Sequence, residues 1–321
     1  MRHVVVTTCP GFGKNGGVAD VIARSGWEFV RCIDTDLPDG GVADYLDRVE
    51  YLVVGLVPAH ADVINNAPRL RAILKHGVGV DNIDIPAATA RRIPVLTTPG
   101  ANANAVAELA LCAMLSLARR VPMLHQAMRA GDWQRHVGSE IAGKVLGIVG
   151  MGTVGRILAA KAGALGMKVL ANDIRPDREF AEGRGIELCD LPRLLAESDF
   201  VSLHIFSGRN SVNFIGREQL ALMKPTACLV NYARGELVDL DALADALYGG
   251  RLGGAAIDVY AEEPPDFAHR IFACPGVVFT PHSGSDTRET TERMGLMVCE
   301  DIQTLIGGGR PVRVLNQEVF A

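Results

Sequence analysis

The chain has 321 residues, 48% of them apolar and 21% charged, with a formal net charge of −5; that length suits two domains with sizeable cores and excludes a disordered chain. The mildly acidic balance gives no pull toward DNA, RNA or anionic membranes, so a small anionic ligand has to be caught by a local basic site. Its seven cysteines, Cys9, Cys32, Cys112, Cys189, Cys228, Cys274 and Cys299, contain no CxxC pair, which argues against a disulfide framework or a zinc site and predicts buried free thiols in a reducing cytoplasm.

Residues 3–8 (HVVVTT) read as a strand and lack the long apolar run and cleavage site of a signal peptide. Further strands are predicted at 27–32, 51–55, 70–75 and 94–97, with helices at 18–25, 59–65 and 85–92 between them. This alternation implies a parallel sheet covered on both faces. A long helix over 104–119 follows, closed by Pro122, with a second helical stretch at 123–130. The strand–helix rhythm then restarts, with strands at 145–149, 169–172, 200–203, 227–231, 255–257 and 277–280. A last helix at about 286–306 precedes a short tail that is expected to pack back on the first unit. No run is long and apolar enough for a transmembrane helix. The expected architecture is α/β: two doubly wound parallel sheets with a hinge and cleft between them, residues 1–98 with 285–321 forming one domain and 99–284 the other.

The clearest motif is LGIVGMGTVGR at 146–156, in which Gly150, Gly152 and Gly155 form GxGxxG between an apolar strand and a helix. The first glycine permits the tight turn, the second lets a pyrophosphate approach the backbone, and the third lets helix and strand pack closely. The helix N-terminus offers N–H groups to phosphates. Asp173 ends the next strand, where a carboxylate accepts hydrogen bonds from the adenosine ribose and repels the 2′-phosphate of NADP. Arg175 stands nearby and partly offsets that repulsion. A dinucleotide site, with NAD preferred, is the expectation.

Three later segments each follow a strand: NYARG (231–235), IDVYAEEP (257–264) and TPHSG (280–284). Carboxyl ends of strands are where ligands bind in doubly wound sheets. Arg234 offers a guanidinium fork for a carboxylate and an adjacent carbonyl oxygen. Glu263 and His282 form a potential acid–base pair, the carboxylate orienting the imidazole and raising its pKa.

These pieces, together with HGVGVDNID (76–84) and TPGANANAVAEL (98–109), resemble the D-isomer-specific 2-hydroxyacid dehydrogenase family over nearly the whole chain. The resemblance implies two Rossmann-like domains and an oxidoreductase acting on the CH–OH group of a small 2-hydroxy acid. It assigns substrate carboxylate and carbonyl to Arg234, the acid/base role to His282 and its partner role to Glu263. Gly77, Val78 and Gly79 resemble the loop whose N–H groups hold the substrate carboxylate. Thr153 and Val154 resemble the residues over the pyrophosphate, and Asp173 matches the ribose acid. Ile205, Tyr232, Ala233, Asp258, His282 and Gly284 match the nicotinamide end. The family also implies D stereochemistry and a dimer arm around residues 106–130, hence a homodimer. No metal, nucleic-acid or membrane partner is expected.

The match has departures. Phosphoglycerate dehydrogenases of this family often carry a strand-end arginine where this chain has Val54-Gly-Leu-Val-Pro58, and some carry a C-terminal regulatory domain that is missing after Ala321. The missing cation weighs against a phosphorylated substrate, although D-3-phosphoglycerate remains an alternative. The family commonly has proline two residues after the histidine of Leu203-His-Ile-Phe-Ser207. Gly11-Phe-Gly-Lys14 lacks Walker spacing, so it is not read as a phosphate loop. An NAD-sensing, corepressor-like interaction protein is the alternative of a different class. A formate-type dehydrogenase is disfavoured because Glu263, not a glutamine, holds the partner position.

Overall fold

The computed structural model describes residues 2–14, 16–32, 41–133, 135–206, 208 and 211–321. Ser207, the last residue of the departing Leu203-to-Ser207 stretch, lies outside them. The chain divides into two compact units, Met1–Asn102 with Ser285–Ala321, and Ala103–Gly284.

The first unit runs β1 (Val4–Thr7), α1 (Gly16–Ser25), β2 (Glu28–Arg31), β3 (Tyr51–Val54), α2 (Ala61–Asn65), β4 (Ala72–Lys75), α3 (Ile85–Ala90) and β5 (Val95–Leu96). Its strands are all parallel, in the order β2-β1-β3-β4-β5. β1, β3 and β4 are buried along their whole length, which is why VVVT, YLVV and AILK are nearly continuous apolar runs and not alternating ones. Asp84 caps α3 by accepting the Ala87 N–H, with Pro86 in the first turn.

The second unit opens with α4 (Ala103–Arg119) and α5 (Val121–Arg129), followed by β6 (Val145–Val149), α6 (Thr153–Ala164), β7 (Lys168–Asn172), α7 (Arg178–Glu182) and β8 (Glu187–Leu188). It continues through α8 (Leu191–Glu197), β9 (Phe200–Leu203), α9 (Arg217–Leu222), β10 (Cys228–Asn231), α10 (Leu240–Tyr248), β11 (Gly254–Ile257) and β12 (Val277–Phe279). The seven parallel strands are ordered β12-β11-β10-β9-β6-β7-β8. Strand order therefore reverses between β6 and β9, the switch point where such sheets bind ligands. Successive strand residues feed opposite cores: Val149, Leu229 and Ile257 pack on one face, Ile148, Val230 and Ala256 on the other.

α11 (Arg288–Ile306) and the tail belong to the first unit. The tail bridges β5 through Leu96 and Val314. Asn316 accepts the Val95 N–H and donates to the Ile93 carbonyl. Arg313 makes a bidentate pair with Asp301 of α11 at 3.0 and 2.9 Å.

Element boundaries differ from the sequence reading in informative places. α11 starts at Arg288 because the Thr287 side chain caps it. Pro122 does not only close α4: it sits in the first turn of α5, where its missing N–H has no partner to lose. The apolar character of α4 is used inside the unit, since Ala107, Ala110 and Met114 are fully buried and the helix packs on α6, β10 and β11. α5 has no buried residue. No helix among the described residues is long and apolar enough to cross a membrane.

Candidate active site

The loop after β6 has the geometry its glycines predict. Gly150 adopts φ +96°, and a Cβ there would lie 2.6 Å from the His204 carbonyl oxygen and 2.8 Å from Ile205 Cγ2. Gly155 approaches the Gly150 carbonyl so closely that any side chain would run into it. Gly152 is the opposite case: nothing lies within 4 Å of where its Cβ would be. It is the N-cap of α6 and makes no side-chain cap, so the first N–H groups of the helix, beginning with exposed Thr153, face an open approach. Asp173 follows β7, and its Oδ2 accepts the Met151 N–H at 2.7 Å while Oδ1 accepts that of Arg175, also at 2.7 Å. An open cradle, an uncapped helix N-terminus and a carboxylate beside them fit a dinucleotide's pyrophosphate and ribose.

Arg234, Glu263 and His282 lie beyond the ends of β10, β11 and β12, which are consecutive in the sheet. The Arg234 turn is fixed by Asn231, whose Nδ2 donates to the Arg234 carbonyl at 2.8 Å and whose Oδ1 accepts the Ala233 N–H at 3.2 Å. Gly235 presses on the backbone of Tyr260 and Ala261, leaving no room for a Cβ, and so draws the Arg234 turn against the loop that carries Glu263. Glu263 Oε1 accepts the Tyr260 N–H at 3.1 Å, and Oε2 meets His282 Nδ1 at 2.7 Å. His282 has φ +51°, an uncommon value for a side-chain-bearing residue. The turn that imposes it is held by Asp258, which is 1% exposed. The Asp258 carboxylate accepts N–H groups of Ser283 and Gly284 at 2.8 and 2.9 Å, and the Thr280 hydroxyl. Its carbonyl accepts the His282 N–H at 2.7 Å. Thr280 also meets the buried Tyr232 hydroxyl at 3.4 Å.

Electrostatics agree with this geometry. The hydrogen bond to Glu263 is the main influence raising the His282 pKa; burial opposes it, and the charges of Glu263 and Asp258 add to it. Burial pushes Glu263 up, but the hydrogen bonds from His282 and the Tyr260 N–H and the charges of His282 and Arg234 outweigh it, and its carboxyl ends below the usual range. Each partner thus stabilises the charged form of the other. Arg234 NH1 donates to the Ala233 carbonyl at 2.7 Å, and its charge is felt at both members of the pair.

In the first unit, Gly77, Val78 and Gly79 form a half-buried turn directly after β4. Lys75 beneath them donates to the Gly55 carbonyl at 2.6 Å and to Asn82 Oδ1 at 2.7 Å. Asn82 in turn donates to the carbonyls of Gly55 and Val57. His76 Nε2 donates to the Thr291 carbonyl at 3.2 Å, and its Nδ1 meets Cys9 Sγ at 3.4 Å. Near Gly11-Phe-Gly-Lys14, the N-terminus of α1 is taken by Glu292 Oε1, which accepts the Gly17 N–H at 2.7 Å. That carboxylate excludes a phosphate there.

The sequence reading gave no role to Asn231, Lys75 or Asn82, although each lies inside or beside a stretch it singled out. For the two asparagines the signal was an Asn at a strand end or in the turn beyond it, a residue suited to holding nearby backbone. Among the described residues, no cluster of His, Cys, Asp or Glu suited to a metal ion occurs.

A switch-point glycine loop, a ribose-side acid and an Arg–Glu–His constellation on neighbouring strand ends define a dinucleotide-dependent oxidoreductase. The family model described as D-isomer specific 2-hydroxyacid dehydrogenase, NAD binding domain, matches residues 111–284. A glyoxylate reductase of Thermococcus litoralis is 38% identical over 294 residues, covering 88% of this chain and 88% of that protein. A D-3-phosphoglycerate dehydrogenase of Methanocaldococcus jannaschii is 40% identical over 258 residues, covering 79% of this chain and 49% of that protein; the chain spans about half its length. The crystal structure of the TT0316 protein from Thermus thermophilus superposes with a TM-score of 0.88 at 34% identity, covering 98% of this chain and 100% of that one. The chain belongs to the D-isomer specific 2-hydroxyacid dehydrogenase family, whose members are NAD-dependent oxidoreductases acting on CH–OH groups, and its second unit contains the NAD-binding domain.

Proposed function

We propose that this protein interconverts a small 2-hydroxy acid of D configuration and its 2-oxo acid. The observation that carries the reading is the 2.7 Å contact between His282 and Glu263, with the charge of Arg234 felt at both. NADH, when bound, supplies the hydride for C2 of the oxo acid. The imidazolium of His282, its Nδ1 engaged by Glu263, gives the Nε2 proton to the oxygen at C2. The Arg234 guanidinium pairs with the substrate carboxylate and stabilises the charge growing on that oxygen. The N–H groups of Gly77, Val78 and Gly79 hold the same carboxylate. Gly150, Gly152, Thr153, Val154 and Gly155 hold the pyrophosphate, and Asp173 holds the ribose and favours NAD over NADP. Ile205, Tyr232, Ala233, Asp258 and Gly284 shape the nicotinamide end. The D configuration rests on the family alone. An unphosphorylated acid is favoured, because Leu56 stands 63% exposed just past β3 in the stretch that lacks the strand-end arginine.

The test is a panel of 2-oxo acids, including glyoxylate, hydroxypyruvate and its phosphorylated form, assayed with NADH and purified protein. Turnover of at least one is expected. Turnover of none would leave the NAD-sensing interaction protein as the better reading.

The same reading includes a cytoplasmic homodimer with no nucleic-acid or membrane partner. Support for the dimer comes from α5 and the segment after it, where Val121, Met128, Trp133 and Val137 are 52%, 54%, 79% and 93% exposed. Single exposed apolar residues are ordinary, but several such side chains falling within one short segment favour an interface. Five of the seven cysteines are buried, which suits a reducing compartment.

A further inference from the structure

We propose that Arg156 is a positioning residue of the dinucleotide site, acting through the backbone of Met151. Met151 is the central residue of Gly150-Met151-Gly152, flanked on both sides by the residue type that restrains a backbone least. Both of its peptide groups are nevertheless pinned by side chains. Asp173 Oδ2 accepts its N–H at 2.7 Å, and Arg156 Nε donates to its carbonyl at 2.9 Å. Arg156 is itself fixed three ways. It stands on the first turns of α6, its NH1 donates to Asp177 Oδ2 at 3.0 Å, and its guanidinium carbon lies 4.5 Å from the Phe180 ring centroid. The guanidinium of Arg184 also stacks on that ring, at 4.1 Å. Asp177 is committed as well, since its other oxygen caps α7 by accepting the Phe180 N–H.

The planar fork of arginine is what allows one side chain to serve the Met151 carbonyl and the Asp177 carboxylate together; a lysine ammonium has no such reach. The result is a clamp that ties the phosphate-facing loop to the 173–180 segment before any nucleotide arrives. Preorganisation of this kind adds affinity by removing the cost of ordering the loop on binding. The inference rests on NAD occupying the 150–155 cradle, and it goes beyond the roles given to the glycines and Asp173.

The experiment is titration of NADH by fluorescence and of ADP-ribose by calorimetry, on wild type, Arg156→Ala, Arg156→Lys and Asp177→Asn, with thermal melts recorded without nucleotide. Arg156→Ala is expected to raise the Kd for NADH and for ADP-ribose by the same factor, about tenfold, equal to about 1.4 kcal/mol. Arg156→Lys is expected to fall between it and wild type. Asp177→Asn, which loosens only the far arm of the clamp, is expected to lose less than Arg156→Ala. The KM for the oxo acid at saturating NADH should stay at its wild-type value in all three. Wild-type NADH affinity in Arg156→Ala, or a loss for NADH that spares ADP-ribose, would overturn the proposal. So would affinity losses that follow the melting temperatures across the three variants instead of the order above. Failure of the wild-type protein to bind NADH at all would remove the cofactor reading itself, and the clamp with it.

Discussion

His282 Nδ1 lies 2.7 Å from Glu263 Oε2, and the two side chains are carried by loops that follow the adjacent strands β11 and β12. Neither residue is near the other in sequence, so the sheet makes the pair. The hydrogen bond to Glu263 is the main influence raising the His282 pKa. Reduction of an oxo acid needs the protonated imidazole, so a raised pKa extends activity to higher pH. Glu263→Gln is expected to lower that pKa and move the falling limb of kcat against pH for reduction to lower pH. His282→Ala should lower kcat by about 10²–10⁴. An unshifted limb in Glu263→Gln would remove Glu263 from the mechanism.

Asp258 acts on the same imidazole from behind. Its buried carboxylate accepts two backbone N–H groups and the Thr280 hydroxyl from the turn that gives His282 its positive φ. Asp258→Ala leaves the buried Gly284 N–H without its partner, at about 1–3 kcal/mol, and removes the acceptor of the half-buried Ser283 N–H and Thr280 hydroxyl. Both the melting temperature and kcat are expected to fall. Because Asp258 contributes less than Glu263 to raising the His282 pKa, Asp258→Asn should move the pH limb in the same direction but by less. A larger shift than that of Glu263→Gln would contradict this order.

Asp173 has two tasks that one substitution confuses. In the proposed function its carboxylate repels a 2′-phosphate, and in the structure it also accepts the Met151 N–H of the glycine loop. Asp173→Asn removes the charge but keeps an acceptor for Met151, whereas Asp173→Ala removes both. The NAD-to-NADP ratio of kcat/KM is expected to narrow in both variants, while NADH affinity should fall further in the alanine variant. Equal NADH affinity in the two would show that the hydrogen bond to Met151 contributes nothing.

Much of this was legible in the chain before any coordinates. The strand–helix rhythm, the GxGxxG loop and the strand-end positions of Arg234, Glu263 and His282 follow from periodicity and turn residues, which are local signals. Less legible was the stretch between Asn172 and Phe200, where α7, the two-residue strand β8 and α8 are too short to show a period. The clamps were hidden for another reason. Asn231 on its turn, Asp258 on the His282 turn and Lys75 with Asn82 are side chain–backbone contacts whose partners depend on how separate loops meet. The resemblance implied a dimer arm around residues 106–130, but a helix buried inside its own unit, as α4 is against α6 and β10, and a helix that meets a partner read identically in sequence; only exposure distinguishes α4 from α5.

α5 therefore carries the dimer prediction. Sedimentation at micromolar concentration is expected to give a dimer. Replacing exposed apolar residues there with charges, as in Met128→Glu with Trp133→Glu, should shift the protein toward monomer without lowering the melting temperature of the monomeric units. Both side chains are largely exposed within their own unit. A stable wild-type monomer would refute the prediction.

His204 supplies a test on stability and not on catalysis. It follows β9, its Nε2 lies 2.9 Å from the Ser202 hydroxyl, and its backbone carbonyl closes the space beside Gly150. Burial alone pushes its pKa from 6.5 down to about 4. The folded protein therefore keeps this imidazole neutral in a range where the unfolded chain protonates it. Between pH about 4 and 6.5 the unfolded state binds more protons, so stability rises with pH across that window and is lost as pH falls through it. One such group gives a slope of about 1.4 kcal/mol per pH unit. His76, also pushed down by burial, adds to the slope. His282 works oppositely, since its raised pKa contributes stability at low pH that is lost as pH rises through the folded value. Thermal melts from about pH 4.5 to about pH 7.5 should show a falling midpoint on acidification. His204→Asn should flatten that dependence, although its midpoint at neutral pH is lowered by the altered packing beneath the glycine loop. The readout is the slope and not the midpoint: a slope unchanged by His204→Asn would mean that His204 is not the neutral, half-buried group described, and that acid lability comes from elsewhere in the chain.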